Sequence, residues 1–571
     1  MLIKKYNPFI INKSYNQNLL KKDFISGLTL FVMLVPQGMA YAMLAGLPPV
    51  MGLYASTLPL LIYALFASSR HLSVGPTAIT SLLVFSGVSA LGKPGTSEYI
   101  NLVILLALMV GVFQLILAVL KMGFIVKYIS PAVLGGYTSA AAIIIGLSQL
   151  KHLVGIELGT YFQIHLILLD VVKGIPNIHW LTLFIGGCSI VFLLLLKKID
   201  ARIPGALLLI VLAILCVYYL GLHERGVQIV REVPGGFPTL KLPTITLEAV
   251  RQLILPALTI ALLGFMESLT IGKTIAEKEK YKINPNRELS ALGLSNFLGS
   301  FFQILPINGS FSRSAVNHQS GGATQMVSIF TGLLMIITLQ FFTSYFYYLP
   351  NTVLAAVIIV AVYKLVDFKQ VRKMFNIKAV DGWSWLVTFA ATLVIGIQWG
   401  IIIGVVFNTV LLISRISRPN VVEVGYLEKE KIFRDVNRFP HAITREDLII
   451  VRIDSSIHYS NTSYLEEKLK EFMGLKPHAK LFIIDFSGVN DMDAPSFKYL
   501  EEMIEQLKKE KGISLYFVGM KGPIRDTADK AGWTKKYEKE IGYFSIEQLL
   551  EDKKIKFYPQ PESMDSFFYM I

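Results

Sequence analysis

Two short stretches break otherwise apolar sequence in a matching way: His71-Leu72-Ser73-Val74-Gly75-Pro76-Thr77, and Pro306-Ile307-Asn308-Gly309-Ser310-Phe311-Ser312-Arg313-Ser314. Each places glycine, proline and hydroxyl residues directly before a short helical signal. The first N–H groups of a helix have no partner within it, and the aligned peptide dipoles leave partial positive charge there. If Ser73 to Thr77 and Ser310 to Ser314 open two helices at membrane depth, the facing starts prefer an anion. Arg313 adds a full charge. A central arginine costs about 2.5–3.5 kcal/mol on insertion scales, so an anion-facing or paired role is expected. The plain alternative is snorkelling to an interface or bonding to a buried carbonyl.

Glu267 is the one carboxylate well inside a long apolar run, between Leu262-Leu263-Gly264-Phe265-Met266 and Ser268-Leu269-Thr270-Ile271-Gly272. A carboxyl group so placed gains or loses a proton according to its neighbours, which makes it a proton-coupling candidate; a static counter-ion for Arg313 is the structural alternative. Gln37 follows Pro36, whose ring removes an intrahelical hydrogen bond. Its amide there can donate to an anion or tie two helices together. Asn317, His318 and Gln319 give the short second helix a polar face expected to line a cavity, since neither a histidine nor a carboxylate stands one turn on from His318. Gly272-Lys273-Thr274 resembles the end of a phosphate loop, but Glu267 occupies the position of the required upstream glycine. With no HExxH and no GxSxG in the chain, neither an enzyme nor a metal or other cofactor is expected.

The elements that position these residues are membrane helices. The 571 residues are 53% hydrophobic and 16% charged, against roughly 25% charged in a soluble domain, and the mean hydropathy is +0.55. The net charge of +14 does not point to nucleic acid, because the excess lies between apolar runs: 31 of 54 basic but 14 of 40 acidic residues fall in 1–420. Spans need about 20 apolar residues. Fourteen candidates fall near 24–45, 49–67, 75–91, 99–120, 130–150, 179–196, 204–222, 252–276, 289–305, 312–321, 323–348, 350–364, 383–398 and 400–414. Tyr161 to Lys173 is too short to span and reads as an interfacial helix. Lys121 and Lys127, Lys197, Lys198 and Arg202, Lys273 to Arg287, and Lys364 to Lys378 fall on alternate hairpins on the side of both termini, which the positive-inside rule makes cytoplasmic. Lys4, Lys5 and Lys13 lie in a polar lead-in without the order of a cleaved signal. Cys188 and Cys216 sit in apolar runs as small membrane-buried hydrophobes.

Leu28-Thr29 and Leu258-Thr259 occupy matching places at an offset that also superposes Gln37 on Glu267, and Pro131 to Gly136 echoes Pro350 to Ala356. Two related halves of seven spans are therefore expected. An odd number per half inverts one relative to the other, and paired broken segments mark a transporter's substrate site. After Arg418 the composition becomes that of a soluble α/β domain, with strands at 448–453, 480–486 and 513–518 and helices at 463–472, 495–509 and after Pro523.

The runs Ile25-Ser26-Gly27-Leu28-Thr29, Val35-Pro36-Gln37-Gly38-Met39-Ala40-Tyr41-Ala42, Ala45-Gly46-Leu47-Pro48-Pro49-Val50 and Gly52-Leu53-Tyr54-Ala55-Ser56 closely resemble the signature of the SulP sulfate permeases, or solute carrier family 26. So do Ser68 to Pro76 and Gly309 to Asn317. The resemblance implies fourteen transmembrane segments in a seven-plus-seven inverted repeat with core and gate subdomains, elevator motion, a homodimer and a cytoplasmic STAS domain. It puts the anion site on Gln37, on Ser73, Val74, Gly75, Pro76, Thr77 and Ala78, and on Ser312, Arg313 and Ser314, with Glu267 as the coupling residue. Relatives that hold sodium have a threonine four residues after that acid; Ile271 stands here, which favours the proton. In the STAS part, around Ile484 to Gly488 and Asp491 to Ser496, Pro495 replaces the serine phosphorylated in stand-alone relatives. Only Ser496 is left for phosphorylation, and docking a cytoplasmic partner or a dimer contact is implied instead.

The expected organisation is a cytoplasmic segment 1–22, a transport domain 23–418, a linker with first strands 419–437, the STAS domain 438–557 and a tail 558–571. The expected activity is sulfate:proton symport across the plasma (inner) membrane with both termini cytoplasmic. A bicarbonate or chloride uniporter or exchanger, and a membrane-anchored STAS regulator, are the alternatives.

Overall fold

The computed structural model describes residues 15–124, 130–156, 164–199 and 205–557. Lys4, Lys5, Lys13, Lys127, Arg202, the first part of the 161–173 run and the tail lie outside them. The chain divides into two compact units at Asn408/Thr409.

The first unit is helical. Asn16 caps α1 (Gln17–Leu44), which continues through Pro36. The second span is two pieces, α2 (Pro49–Tyr54) and α3 (Leu58–Phe66), each with proline in its first turn. The strand β1 (Val74–Gly75) leads into α4 (Ala78–Val88), followed by α5 (Ser97–Val119), α6 (Pro131–Ser148), α7 (Leu150–Val154), α8 (Ile164–Gly174), α9 (Trp180–Ile199) and α10 (Gly205–Leu220). The second half runs α11 (Leu247–Lys278), α12 (Pro285–Ser300), β2 (Asn308–Gly309), α13 (Phe311–Gln319), α14 (Met326–Phe341), α15 (Asn351–Val362), α16 (Phe368–Ile377), α17 (Ala379–Val394) and α18 (Ile397–Ser417). Among the described residues seven helical spans are long and apolar enough to cross a membrane, namely α1, α2–α3, α5, α6–α7, α9, α11 and α18. α4, α10, α14, α15 and α17 are shorter apolar helices. The two remaining expected segments, α12 and α13, are polar by comparison. At 11 residues, α8 is about 16 Å long and cannot span.

Small residues explain why α12 sits inside although it is rich in serine and asparagine. A Cβ on Gly111 of α5 would lie 2.4 Å from the Phe297 backbone nitrogen, so only glycine lets α5 and α12 approach this closely. The same device joins α1 to α2, where a Cβ on Gly52 would stand 1.8 Å from the Gly38 carbonyl oxygen. The free Cys188 and Cys216 are exposed on α9 and α10, on the apolar outer surface rather than in the packed interior.

Two buried carboxylates hold irregular loops. Glu288, 1% exposed, accepts from Ser68 N, Ser68 Oγ and Ser69 N at 2.6 Å each and from the Tyr63 hydroxyl. Asp23 accepts from Ala323 N at 2.7 Å and Thr324 Oγ1 at 2.5 Å. These bonds satisfy backbone groups that neither helix nor sheet supplies with partners.

The second unit is a five-stranded sheet of β3 (Val421–Leu427), β4 (Ile432–Asp435), β5 (Leu448–Ile453), β6 (Leu481–Asp485) and β7 (Ser514–Val518), in the order β4-β3-β5-β6-β7. β3 is antiparallel to both neighbours, while β5, β6 and β7 are parallel. α19 (Thr462–Leu475) and α20 (Ala494–Lys511) provide the crossovers. The three strands and the first two helices read from the sequence fall where expected; β3 and β4 occupy a stretch read as linker and first strands. Ser496 is fully buried rather than facing solvent: Asp493 caps α20 by accepting from Ser496 N at 3.0 Å, and the Ser496 hydroxyl donates to the same carboxylate at 2.5 Å.

An amide offers one acceptor oxygen where Glu288 offers two charged ones. Glu288→Gln should therefore destabilise the first unit by about 1.5–3 kcal/mol, read as a lowered thermal midpoint of the detergent-solubilised protein. An unchanged midpoint would show that the carboxylate does not hold the 68–69 loop.

Candidate functional site

The two chain breaks meet. β1 and β2 form an antiparallel ribbon with Val74 opposite Gly309 and Gly75 opposite Asn308. Ser310 N donates to Ser73 O at 2.9 Å, and Ser73 N donates to Ser314 Oγ at 2.9 Å. One expectation needs correction: Ser73 to Thr77 do not open a helix. Gly75 has φ +143°, and Pro76 has no N–H, so the chain stays extended until Thr77 caps α4 by accepting from Thr80 N at 3.3 Å. The second helix begins at Phe311, close to where the sequence placed it, with Ser310 at the N-cap position but making no side-chain capping bond.

The ribbon is seated on α11. Gly264, Glu267 and Ser268 share one helix face by their spacing. Ser268 Oγ accepts from Gly309 N at 2.8 Å. A Cβ on Gly264 would lie 2.0 Å from the Asn308 side-chain amide, so glycine alone leaves room for Asn308 there. Asn308 Nδ2 donates to Thr80 Oγ1 at 2.8 Å, tying β2 to α4. Asn296 of α12 exchanges two hydrogen bonds with the Ile307 backbone, at 2.8 and 3.1 Å, and donates a third to Gln114 Oε1 at 3.0 Å.

Arg313, in the first turn of α13, is 0% exposed. Its Nη1 donates to Pro76 O at 3.0 Å and reaches Gln37 Oε1 at 3.4 Å, while Nε and Nη2 have no partner among the described residues. Glu267 and Tyr41, the latter one turn beyond Gln37 on α1, lie within electrostatic reach of the guanidinium. Neither carboxylate oxygen of Glu267 forms an ion pair with it among the described residues. A buried cation with two unused donors, beside the starts of two helices, is equipped to take a small anion through charge-assisted hydrogen bonds.

Of the expected site residues, Gln37, Gly75, Pro76, Thr77, Arg313 and Glu267 come together. Ser73, Val74 and Ala78 contribute backbone, the last two with side chains in the apolar core. Ser314 holds the frame through Ser73. Ser312 has an exposed side chain whose one hydrogen-bond contact among the described residues is Ser310 Oγ, at 3.3 Å. The polar face of α13 is likewise engaged, Asn317 Nδ2 donating to His71 O at 2.9 Å and His318 meeting Glu279 at 2.7 Å. Tyr41, Thr80, Gly264 and Ser268 were not singled out from sequence; only the helical spacing of Gly264 and Ser268 around Glu267 marks them. The described residues contain no group of three or more histidine, cysteine or acidic side chains arranged for a metal ion.

A helical polytopic core with paired breaks at a buried cation, followed by an α/β domain, defines a membrane transporter. Residues 20–388 match the sulfate permease family and residues 440–542 match the STAS domain. The chain belongs to the sulfate permease family, and its function is anion transport. It is 33% identical over 547 residues to "Sulfate transporter 4.1, chloroplastic" of Arabidopsis thaliana, covering 93% of this chain and 80% of that protein. It is 31% identical over 525 residues to human "Solute carrier family 26 member 6", covering 88% and 68%. The structure matches the murine Solute Carrier 26 family member A9 anion transporter in the inward-facing state with a TM-score of 0.90 at 25% identity, covering 97% and 95%. It matches the transmembrane domain of a cyanobacterium bicarbonate transporter, BicA, with a TM-score of 0.59 at 19% identity, a likeness of fold alone.

A Cβ on Gly75 would stand 3.2 Å from Arg313 Nη2, on a backbone that L side chains avoid. Gly75→Ala should weaken anion binding about tenfold or more without unfolding the unit, measured with sulfate as the probe through the concentration that half-saturates thermal stabilisation. Unaltered binding would place the anion elsewhere.

Proposed function

We propose that the chain is a sulfate:proton symporter of the plasma membrane that works by an elevator-type movement. The observation that carries this reading is the buried guanidinium of Arg313 with its two unpartnered nitrogens. Sulfate is a compact oxyanion whose several oxygens suit the planar fork of arginine together with backbone N–H groups at helix starts. Gln37 adds a neutral amide. Full-length relatives named as sulfate transporters support that choice of anion.

Glu267 supplies the coupling. With the carboxyl protonated, the guanidinium has no competing negative charge in its surroundings and its field acts on the incoming anion. After the site turns to the cytoplasm and the proton leaves, Glu267 becomes the counter-charge of Arg313 and sulfate is released. Opposite charges in a poorly hydrated site interact strongly enough for one proton to alter anion affinity. Ile271 occupies the place of the threonine expected of a sodium site, which supports the proton as coupling ion. On this reading the transport domain spans 23–418 as a homodimer, both termini are cytoplasmic, and the STAS domain, 438–557, offers a docking surface to a cytoplasmic partner.

Radiolabelled sulfate uptake into proteoliposomes under an acid-outside gradient tests the proposal. Arg313→Gln should lower sulfate uptake by at least tenfold, given about 1.5–3 kcal/mol per lost charged hydrogen bond. Glu267→Gln should abolish gradient-driven accumulation while sulfate:sulfate exchange persists. Accumulation that follows sodium, or that survives in Glu267→Gln, would overturn proton coupling; bicarbonate or chloride outcompeting sulfate would overturn the substrate.

A further inference from the structure

The helix α16 lies between two apolar helices and buries none of its side chains. Its fixed points are the capping carboxylate of Asp367, which accepts from Lys369 N and Gln370 N at 3.0 and 3.1 Å, and three aromatic contacts, one of them Phe368 on Trp385 at 6.1 Å. The Phe368 ring lies 5.8 Å from Phe389 of α17, and Phe375 lies 5.8 Å from Trp383. Phe368, Val371 and Phe375 recur at three- and four-residue spacing and form one stripe. Lys369, Arg372 and Lys373 fall within about a quarter-turn of one another on another face at 100° per residue. All three are exposed and have no ion-pair partner among the described residues. At the end of α9, Lys197 Nζ stands 5.6 Å from the ring centroid of Tyr363, just ahead of α16.

Large apolar groups flank this charge: Ile377 is 75% exposed, Trp383 52% and Tyr363 47%. Five residues separate α15 from α16 and one separates α16 from α17. Chain connectivity thus keeps this helix at the adjoining ends of two shorter apolar helices, α15 and α17. A cationic stripe bordered by exposed tyrosine, tryptophan and isoleucine suits an amphiphile, with an anionic head for the lysines and an acyl chain for the apolar groups. We propose that α16 and the end of α9 form a binding surface for the headgroups of anionic phospholipids. Each basic residue adds to the attraction at an anionic membrane surface, and the stripe has the density of a lipid-recognition cluster. The bound lipid anchors α17, through Phe368 and Phe375, to the headgroup layer. This inference does not depend on which anion is carried or on proton coupling.

The test uses the full chain in an uncharged detergent, with dioctanoyl phosphatidylglycerol and dioctanoyl phosphatidylcholine as probes and the thermal midpoint as readout. Phosphatidylglycerol should raise the midpoint more than phosphatidylcholine at equal concentration. The excess should vanish at about 1 M salt, where the screening length falls to about 3 Å. The triple variant Lys369→Gln, Arg372→Gln, Lys373→Gln should lose it, and Lys369→Arg with Lys373→Arg should keep it. If the triple variant does not fold, each single glutamine variant should lose part of the excess. Equal shifts from both lipids, an excess kept by the glutamine variants, or an equal shift from soluble polyglutamate would overturn the proposal.

Discussion

Backbone hydrogen bonding inside a bilayer is the constraint from which the rest of this structure follows. Away from water, every peptide group needs a partner within the protein, and two stretches of chain here are neither helix nor barrel. They meet the requirement by pairing with each other in a ribbon of two residues per strand. Because each strand runs at once into a helix, two helix starts are brought to one place, and Arg313 with them. The fit is tight on every side: glycine is required at 264 and 309 for the ribbon to reach α11, and at 75 for the turn beside the guanidinium.

Such a ribbon cannot stand unaided, since a two-stranded piece is marginal even in water. Its support comes from buried side chains acting on main-chain atoms. Ser268, Ser314 and Asn296 each bond a backbone group of the ribbon or its approach, and the carboxylates of Asp23 and Glu288 hold the loops on either side. These groups are satisfied polar residues of the interior, and their role is to keep fixed the few atoms left unsatisfied at Arg313. Within this frame Ser73 Oγ and Asn308 Oδ1, like the two Arg313 nitrogens, have no partner among the described residues.

The second unit obeys different rules. Its parallel strands are buried on both faces, by one apolar cluster around Phe482, Phe486 and Trp533 and another around Ile450, Val518 and Leu549. Asp485, at the end of β6, has its carboxyl pushed above the usual range by burial, although Ser487 donates to it through both N–H and Oγ. That carboxylate closes a turn at the edge where ligands commonly meet α/β sheets.

Apolar run length, glycine and proline punctuation, and the isolated polar residues Gln37, Glu267 and Arg313 are properties of composition and spacing. They were legible along the chain because the bilayer tolerates so few sequence patterns. The amino-acid sequence alone thus determined a polytopic helical protein with two broken segments, a soluble α/β domain after them, and a cation with a carboxylate in the apolar part. It could not decide that residues 73–75 are strand rather than helix, because extended backbone at β1 is stabilised by partners more than 230 positions away. Nor could it tell Ser312 from Ser314: both are hydroxyls in one turn, and only the tertiary arrangement turns one to Ser73 and leaves the other exposed. Hydrogen bonds between distant segments depend on three-dimensional placement, and that placement alone decided which donors at Arg313 remain free.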